Sequence, residues 1–188
     1  MICYEQELYK EMNEEKLRKI KLLLLDVDGV LTDGKIVYTD QGEEIKSFDV
    51  KDGHGLKLLM RAGIDVALVT GRKSKVVKHR AKDLGITLVY QQVWDKREVL
   101  NKILQEKGIS EDAIAFVGDD LVDLPIIERV GFSATVADGI EEVKQRVDYI
   151  SPQKGGERAV RGICELILKA QGRWDEVTKQ YLLMERPT

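Results

Sequence analysis

Short apolar runs alternate along the chain with longer segments whose apolar residues recur every three or four positions. Runs of four to eight apolar residues are typical of buried strands, and a period near 3.6 is typical of amphipathic helices. Strands that alternate with helices indicate βα units and a parallel sheet covered on both faces. We therefore predict an α/β, doubly wound, mostly parallel sheet of the Rossmann-like type. The predicted strands are residues 22–25, 65–69, 87–90, 114–117 and 133–136, with a short sixth strand at 148–150.

The segments between these strands have apolar residues at helical spacing. The residues that define this spacing are Leu56, Leu59 and Met60, then Leu100, Ile103 and Leu104, then Ile163, Leu166, Ile167 and Ala170. Four glycines, Gly63, Gly85, Gly108 and Gly131, each follow a helical pattern and precede a strand. A glycine at that place is typical of a helix that ends in a left-handed residue. The pattern predicts crossover helices between parallel strands.

Residues 35–50 interrupt the alternation directly after the first strand. Two runs with a period of two flank a glycine-containing turn at residues 40–43, which predicts an inserted β-hairpin. An isolated hairpin is marginally stable in water. Its apolar residues lie on both faces, namely Ile36, Val37, Tyr38, Ile45 and Phe48. We therefore expect the hairpin to pack on another subunit.

Chain length and composition agree with one domain over residues 1–188, because 43% hydrophobic residues are enough for one core. Residues 1–20 predict a weak amphipathic helix, peripheral to the chemistry, that includes Leu8, Met12, Leu17 and Ile20. Residues 172–188 predict a polar tail, also peripheral.

Charge and cysteine content exclude several classes of function. The formal net charge is -3 with both signs interspersed, which argues against nucleic acid as a partner. No apolar stretch approaches the roughly 20 residues of a membrane span, and the N-terminal residues are too charged for a signal peptide. Cys3 and Cys164 lack metal-ligand spacing, so we expect free thiols in a reducing compartment, the cytoplasm.

Carboxylates and a threonine follow several predicted strands. Asp26 and Asp28 follow the first strand, Thr70, Gly71 and Arg72 the second, and Asp119, Asp120 and Asp123 the fourth. Ligands of parallel sheets bind at the carboxyl ends of the strands, so these side chains are expected at one edge. Crowded carboxylates repel one another unless a cation lies among them. An oxygen-only set without His or Cys favours Mg²⁺. The alternative is a solvated acidic loop or a set of helix N-caps.

Three residues near predicted helix starts, Thr70, Arg72 and Lys96, indicate an anionic ligand. Thr70 offers a hydroxyl that suits a phosphate oxygen, although Thr70 or Ser74 could instead cap the following helix. Arg72 and Lys96 bring positive charge to helix N-termini, where the helix dipole disfavours it by roughly 0.3–1 kcal/mol. Asp95 is the predicted N-cap before Lys96. Lys96 is therefore expected to contact a phosphate or a carboxylate, unless it is a solvated surface residue.

Taken together, "DVDGVLTDG", "VTGR", Lys96 and "GDDLVDLP" resemble, in order, the four motifs of the haloacid dehalogenase-like phosphotransferase superfamily. "FDVKDGHGL", "TGRKS" and "KGGERAVR" are similar to its phosphatases without a cap domain that act on sugar-acid phosphates. The resemblance runs from about residue 21 to the last helix. It implies a Mg²⁺-dependent phosphatase of lipopolysaccharide sugar biosynthesis, with 3-deoxy-D-manno-octulosonate 8-phosphate as its substrate.

The resemblance also implies a role for each residue of the motifs. Asp26 would be the nucleophile that forms an aspartyl-phosphate, and Asp28 the general acid and base. Mg²⁺ would be held by Asp26, the backbone carbonyl of Asp28, and Asp119. Thr70 and Lys96 would bind the transferring phosphoryl group. The remaining two carboxylates, Asp120 and Asp123, would act on the metal indirectly, through water or through its ligands.

Family members of this kind assemble as homotetramers, with the hairpin in a central barrel and sites near subunit interfaces, and the resemblance extends that expectation to this chain. The candidates for binding the phosphorylated sugar acid are Lys51, Gly71, Arg72, Arg80, Gly155, Gly156 and Arg158. The Gly-Gly pair also fits an ordinary helix start. His79 is expected on a helix surface.

Two departures from the family pattern leave the sugar open. His54 stands where an aromatic or aliphatic residue is expected, and Lys51 stands where Arg is common and cannot make Arg's bidentate contact. A nine-carbon ulosonic acid phosphate is an alternative substrate. The alternatives in other classes are a receiver-type signalling domain, which the motif order disfavours, and an inactive tetrameric partner of a cytidylyltransferase.

Overall fold

The computed structural model describes residues 13–182, and only the backbone of residue 182. Its main sheet has six parallel strands in the order β5-β4-β1-β6-β7-β8. The strands are β1 (Leu22–Leu25), β4 (Asp65–Val69), β5 (Leu88–Tyr90), β6 (Ile114–Val117), β7 (Phe132–Thr135) and β8 (Tyr149–Ile150). The predicted doubly wound parallel sheet is confirmed. The bounds of β1, β4 and β6 are as predicted, β5 and β8 each start one residue later, and β7 is shifted by one residue.

Helices cover both faces of this sheet. They are α1 (13–18), α2 (Val50–Arg61), α3 (Lys75–Leu84), α4 (Lys96–Lys107), α5 (Leu124–Ile127), α6 (Glu141–Lys144), α7 (Ala159–Ala170) and α8 (Trp174–Leu182), with 3-10 turns at Glu111–Ala113 and Leu121–Asp123. Side chains of a strand alternate between faces. Leu23 and Leu25 therefore join the core cluster under α2 and α7, while Leu22 and Leu24 join the cluster under α4 and α5. Burial of each leucine contributes about 1.5–3 kcal/mol.

Three of the four predicted glycine stops are confirmed. Gly63, Gly85 and Gly108 have φ values of 76°, 82° and 60° after α2, α3 and α4. Gly131 was wrongly assigned, because it does not have a positive φ. A Cβ at Gly131 would overlap the backbone of Asp112, so close packing explains the glycine there.

The hairpin consists of β2 (Val37–Tyr38) and β3 (Glu44–Ile45), paired antiparallel. The strands are shorter than the predicted runs. Val37 and Ile45 are cross-strand partners and are 46% and 51% exposed. Phe48, by contrast, packs against the main core. The exposed apolar residues stay a predicted subunit contact.

Both terminal segments contribute to the core in their described parts. Leu17 and Ile20 are buried, and the Gln171 side chain donates hydrogen bonds to their carbonyls at 3.0 and 2.8 Å. Leu8 and Met12 lie outside the described residues, as does Cys3. The segment predicted as a polar tail contains α8, where Val177 is buried and Trp174 packs on the core.

The remaining cysteine, Cys164, is a free thiol on the buried face of α7. Within residues 13–182, no helix is long and apolar enough to cross a membrane.

Candidate active site

The candidate site lies at the carboxyl ends of β4, β1 and β6, three adjacent strands. Asp26 follows β1, and its N–H donates to Val117 O at 2.9 Å, which continues the pairing with β6. Thr70 follows β4, and its N–H donates to Tyr90 O at 2.9 Å. A cavity of about 420 Å³ opens here, lined by Asp26, Asp28, Thr70, Gly71, Arg72, Val93, Trp94, Lys96, Asp119, Asp120 and Val122. The predicted convergence at one sheet edge is confirmed.

A second cavity, of about 810 Å³, lies near the amino ends of β1 and β4. Its cationic lining residues are Arg18, Lys19, Lys21 and Arg173. We place the chemistry at the smaller cavity, because ligands of parallel sheets bind at the carboxyl ends and the motif residues meet there.

Lys96 joins two of the carboxylates. It is the first residue of α4, capped by the Asp95 carboxylate, which accepts from Arg97 N–H at 3.0 Å. Its side chain is 3% exposed, and Nζ lies 2.9 Å from Asp26 Oδ1 and also bonds Asp123 Oδ1. Although burial lowers the pKa of Lys96, both carboxylates raise it, and the net direction is upward. Lys96 is thus a buried cation, which rules out the surface alternative.

The Asp26 carboxyl is buried. Burial raises its pKa to about 6, the charge of Lys96 opposes that rise, and the charge of Asp123 adds to it. A carboxylate that is poorly solvated and fixed at a strand end is suited to attack an electrophile, because little water must be removed first.

Asp123 shapes the loop after β6. Its Oδ2 accepts from Asp119 N–H at 2.9 Å and from Asp120 N–H at 3.2 Å. Both of its oxygens are therefore engaged, one by amides and one by Lys96. The predicted indirect role of Asp123 agrees with this geometry, since Oδ2 accepts from two amides and Oδ1 bonds Lys96.

Asp119 has an unpartnered carboxylate oxygen. Its Oδ1 is buried without a hydrogen-bond partner among the described residues. Burial, followed by the charges of Asp26, Asp123 and Asp120, raises the pKa of Asp119 to about 8. Gly29, with φ +93°, leaves room for this side chain, because a Cβ there would overlap Asp119 Oδ2. Close to a divalent cation, the same carboxyl would be ionised and its oxygen satisfied.

The carboxylates fit a hard divalent cation. Asp26, Asp119 and Asp123 each have an oxygen within 4.8 Å of the others. This geometric set contains Asp123 where the predicted ligand set contains Asp28. The Asp28 carboxylate bonds Lys46, and the contribution predicted for Asp28 is its backbone carbonyl, which lies outside a set of side-chain ligands. An all-oxygen set with an unpartnered buried oxygen suits Mg²⁺.

The hairpin contributes one cation, Lys46, and one acid, Glu44, next to the site. Lys46 bonds Asp28 Oδ1 and lies 3.3 Å from Glu44 Oε1. Arg72 Nη2 lies 3.2 Å from the same Glu44 oxygen, and Arg72 Nε lies 3.8 Å from Asp28 Oδ2. Ser74 Oγ donates to Glu44 Oε2. The anion that compensates Arg72 in this chain is therefore its own hairpin carboxylate.

Thr70 and Ser74 divide the roles that the sequence left open. Ser74 is the N-cap of α3, with Oγ accepting from Val77 N–H at 3.3 Å. Thr70 is buried, lines the cavity, and accepts from Arg72 N–H at 3.2 Å. The Thr70 hydroxyl is therefore available to the cavity rather than used as the helix cap.

Of the seven predicted substrate-binding residues, Gly71 and Arg72 line the cavity. The other five do not belong to its lining, and the contacts of three of them explain why. Arg80 donates to Asp49 O at 3.0 Å and lies over the Phe48 ring, so it supports the start of α2. Gly155 and Gly156 pack so closely on Gly29 and Thr32 that a Cβ at either would clash with backbone.

Lys51 and Arg158 are exposed at the starts of α2 and α7. Arg158 has φ 75°, an unusual conformation for a residue with a side chain. His54, one of the two departures, contacts Arg161 and Tyr181 at 3.2 and 3.1 Å. His79 is exposed on α3, as predicted.

Sequence reasoning missed Lys46, Glu44, Trp94 and Val122. Lys46 and Glu44 belong to the predicted hairpin, but no role was predicted for them. The signal that could have found them is the period of two, which puts both on one face of the hairpin and Ile45 on the other. Trp94 directly precedes the predicted cap Asp95, so its place in the loop between β5 and α4 was available from the sequence.

The parallel sheet has carboxylates after β1 and β6, a threonine after β4 and a lysine at the start of α4. This combination defines a haloacid dehalogenase-like hydrolase. A family model described as haloacid dehalogenase-like hydrolase matches residues 86–160. Over 165 residues the chain is 45% identical to 3-deoxy-D-manno-octulosonate 8-phosphate phosphatase KdsC of Escherichia coli K12, covering 88% of each chain.

Solved structures agree with this assignment. The 3-deoxy-D-manno-octulosonate 8-phosphate phosphatase of Yersinia pestis is 41% identical with a TM-score of 0.86, covering 87% of this chain and 89% of that one. The enzyme of Moraxella catarrhalis, in complex with magnesium, phosphate and KDO, is 43% identical with a TM-score of 0.88, covering 91% and 98%. The chain belongs to the 3-deoxy-D-manno-octulosonate 8-phosphate phosphatase family.

Proposed function

We propose that this phosphatase hydrolyses 3-deoxy-D-manno-octulosonate 8-phosphate to the free sugar acid and inorganic phosphate, within lipopolysaccharide sugar biosynthesis. One observation carries the proposal: Asp26, at the end of β1, contacts Lys96 and faces Asp119, whose buried Oδ1 has no hydrogen-bond partner within residues 13–182. The identity to the Escherichia coli phosphatase and the KDO complex of the Moraxella enzyme support the choice of substrate.

The reaction begins at Asp26. One carboxylate oxygen attacks phosphorus, the bond between phosphorus and the sugar oxygen breaks, and Asp28 gives its proton to the leaving alkoxide. Water then attacks phosphorus, Asp28 takes a proton from that water, and the bond from phosphorus to Asp26 breaks, which restores both carboxyl groups. General acid and base catalysis of this kind contributes about 10²–10⁴-fold.

Lys96 and Thr70 prepare the phosphoryl site. The Lys96 ammonium offsets the charge of Asp26, so a dianionic phosphate can approach a carboxylate that would otherwise repel it. The Thr70 hydroxyl, buried at the end of β4, can donate to a phosphoryl oxygen. Phosphoryl transfer depends mainly on such positioning and charge compensation.

Mg²⁺ completes the proposed site, held by Asp26, the Asp28 carbonyl and Asp119, with Asp120 and Asp123 acting indirectly. When bound, it neutralises charge on the phosphoryl oxygens. The fit is supported by the all-carboxylate cluster and the unpartnered Asp119 oxygen. Its presence would also let Asp26 and Asp119 both be ionised at neutral pH, against the effect of burial on their pKa values.

The sugar-acid end of the substrate is proposed to meet Gly71 and Arg72 in the cavity. Lys51, Arg80, Gly155, Gly156 and Arg158 stay candidates, with the exposed Lys51 and Arg158 best suited to reach a site on a neighbouring copy. This arrangement belongs to the proposed homotetramer, which the exposed hairpin residues Val37 and Ile45 support. The proposed location is the cytoplasm.

A panel of phosphorylated substrates tests the proposal. Phosphate release is measured with 3-deoxy-D-manno-octulosonate 8-phosphate, a nine-carbon ulosonic acid 9-phosphate, and simple sugar phosphates, first with Mg²⁺ and then with chelator. We expect the highest kcat/KM for the eight-carbon substrate and loss of turnover with chelator. A higher kcat/KM for the nine-carbon compound would contradict the proposed substrate. Turnover that persists with chelator would contradict the proposed metal site.

A further inference from the structure

Lys46 is a buried cation on an otherwise exposed hairpin. Its side chain is 1% exposed, although its neighbour Ile45 is 51% exposed. A buried ammonium is costly unless it is paired and hydrogen-bonded. Lys46 meets this condition through Asp28 Oδ1 and Glu44 Oε1. The contact therefore joins the hairpin to a residue of the candidate active site.

The alternation of the hairpin explains how Lys46 reaches Asp28. Val37 pairs with Ile45, and Tyr38 pairs with Glu44, so the two cross-strand pairs point to opposite faces. Glu44 and Lys46 share the face of Tyr38, whose hydroxyl accepts from Arg72 Nη2 at 3.1 Å. The polar face of the hairpin is thus turned toward the site, and its apolar face is turned away.

Several contacts hold Glu44 in place beneath Lys46. Arg72 Nη2 lies 3.2 Å from Glu44 Oε1, and Ser74 Oγ donates to Glu44 Oε2. Glu44 is therefore anchored to the start of α3, a rigid part of the main domain. Arg72 Nε, at 3.8 Å from Asp28 Oδ2, is too far for a hydrogen bond, so Lys46 makes the direct contact with Asp28.

We propose that Lys46 is a positioning residue for Asp28. By holding Oδ1, it fixes the orientation of the Asp28 carboxyl group and leaves Oδ2 for the leaving-group oxygen. The inference rests on the proposed role of Asp28 as general acid. It adds a function to the hairpin, which aligns the proton donor in addition to offering an apolar face to a partner.

Leaving groups of different basicity separate positioning from simple structural support. An alkoxide must be protonated as it leaves, whereas p-nitrophenolate leaves without a proton. The quantity to compare is kcat/KM, because it reports the steps up to release of the leaving group. We expect Lys46→Met to lower kcat/KM about 10²-fold for the sugar-acid phosphate and less than about threefold for p-nitrophenyl phosphate.

Two further variants complete the test. Lys46→Arg keeps the charge and should recover part of the selective loss, and it replaces Lys46→Met if that variant does not fold. Lys35→Met removes an exposed lysine of the same segment, paired with Asp33 at 2.8 Å, and should leave both substrates unchanged. Gel filtration and melting temperature are measured for each variant, because the hairpin is also the proposed subunit contact.

Equal losses on both substrates would overturn the proposal, and so would unchanged activity on both. If the wild-type enzyme prefers another alkyl phosphate of the panel, the comparison is made with that compound. A failure of the proposed substrate is then distinguished from a failure of the role given to Lys46.

Discussion

Lys96 Nζ lies 2.9 Å from Asp26 Oδ1 and also bonds Asp123, so one buried ammonium joins the end of β1 to the loop after β6. Burying a charge is unfavourable unless partners compensate it, and here each partner compensates the other. The cluster therefore connects stability to catalysis, because the cation that makes the fold tolerate two carboxylates also permits a phosphate to approach Asp26.

Replacing Lys96 with Met should weaken both properties. The substitution leaves Asp26 and Asp123 as neighbouring buried carboxylates, and loss of one partner of a buried ion pair costs about 3–5 kcal/mol. Urea unfolding without Mg²⁺ measures the free energy of unfolding. Phosphatase turnover of the variant should also fall at least about 100-fold. Lys102→Met, an exposed lysine of α4, is the control and should stay within about 0.5 kcal/mol of wild type. Wild-type stability in Lys96→Met would show that the carboxylates do not need this cation.

Asp26→Asn should abolish turnover and keep the fold. The amide cannot form the aspartyl-phosphate, so we expect a loss of at least about 10³-fold. Circular dichroism should be unchanged, because burial already disfavours the charged form of Asp26 and the amide carries no charge. Substantial residual phosphate release, in protein free of wild-type enzyme, would refute the nucleophile assignment.

Sequence periodicity predicted the strand bounds well where an apolar run ends at a polar residue of the site. The four leucines of β1 end at Asp26, and the apolar run of β4 ends at Thr70, so both bounds are marked by a change of residue type. Helix α8 was missed because Trp174 and Val177 offer a short apolar signal in a charged segment. Gly131 was misread because a glycine required for close packing looks the same in sequence as a helix stop.

Contacts that depend on how distant segments fold together were not predictable from local pattern. Lys46 meets Asp28 only because the hairpin folds back over the end of β1. Arg80 and Gly155, which family resemblance predicts as substrate contacts, pack against Asp49 and Gly29 and stay candidates. Residue type and spacing were enough to predict where the site lies. The residues that surround it could be identified only from the three-dimensional packing.

Gly29→Ala should damage metal binding more than stability. A Cβ at Gly29 would overlap Asp119 Oδ2, and φ of +93° adds a strain of about 1–2 kcal/mol. Gly34→Ala is a matched control, because φ is +75° there and the nearest atom lies at an ordinary 3.6 Å. Both variants should lose similar stability, and Gly29→Ala alone should need more Mg²⁺ for half-maximal turnover. If Gly29→Ala and Gly34→Ala needed the same Mg²⁺ concentration for half-maximal turnover, Gly29 would not support Asp119.

Mg²⁺ should raise the melting temperature through Asp119. A ligand that binds the folded state stabilises it by RT ln(1 + [L]/Kd), about 2.7 kcal/mol at 100 times Kd. Differential scanning fluorimetry with and without Mg²⁺ should show this increase in wild type and its loss in Asp119→Asn, because the unpartnered carboxylate oxygen is part of the proposed site. Asp83→Asn, an exposed carboxylate of α3, should respond like wild type. A full Mg²⁺ response in Asp119→Asn would place the ion elsewhere.

Asp52 should make stability depend on pH from outside the active site. Its Oδ1 accepts from Arg161 N–H at 2.7 Å, while its buried Oδ2 lacks a hydrogen-bond partner among the described residues. Burial raises its pKa from 3.8 to about 6, although the amides of Arg161 and Arg158 lower it. The folded state therefore holds the proton more tightly than the unfolded state. The stabilisation is present in full below about pH 4 and is lost as the pH rises through about 6.

The Asp52→Asn variant isolates this contribution. At most about 3 kcal/mol separates the two ends of the window, since each pKa unit corresponds to about 1.36 kcal/mol. Urea unfolding of wild type and variant between pH 4 and 7 should give a stability difference that grows in favour of the variant as pH rises. Asp26 and Asp119 titrate in both proteins and cancel in that difference. Asp40→Asn, an exposed carboxylate of the hairpin turn, should follow wild type, and parallel curves for Asp52→Asn would show that Asp52 has the same pKa in both states.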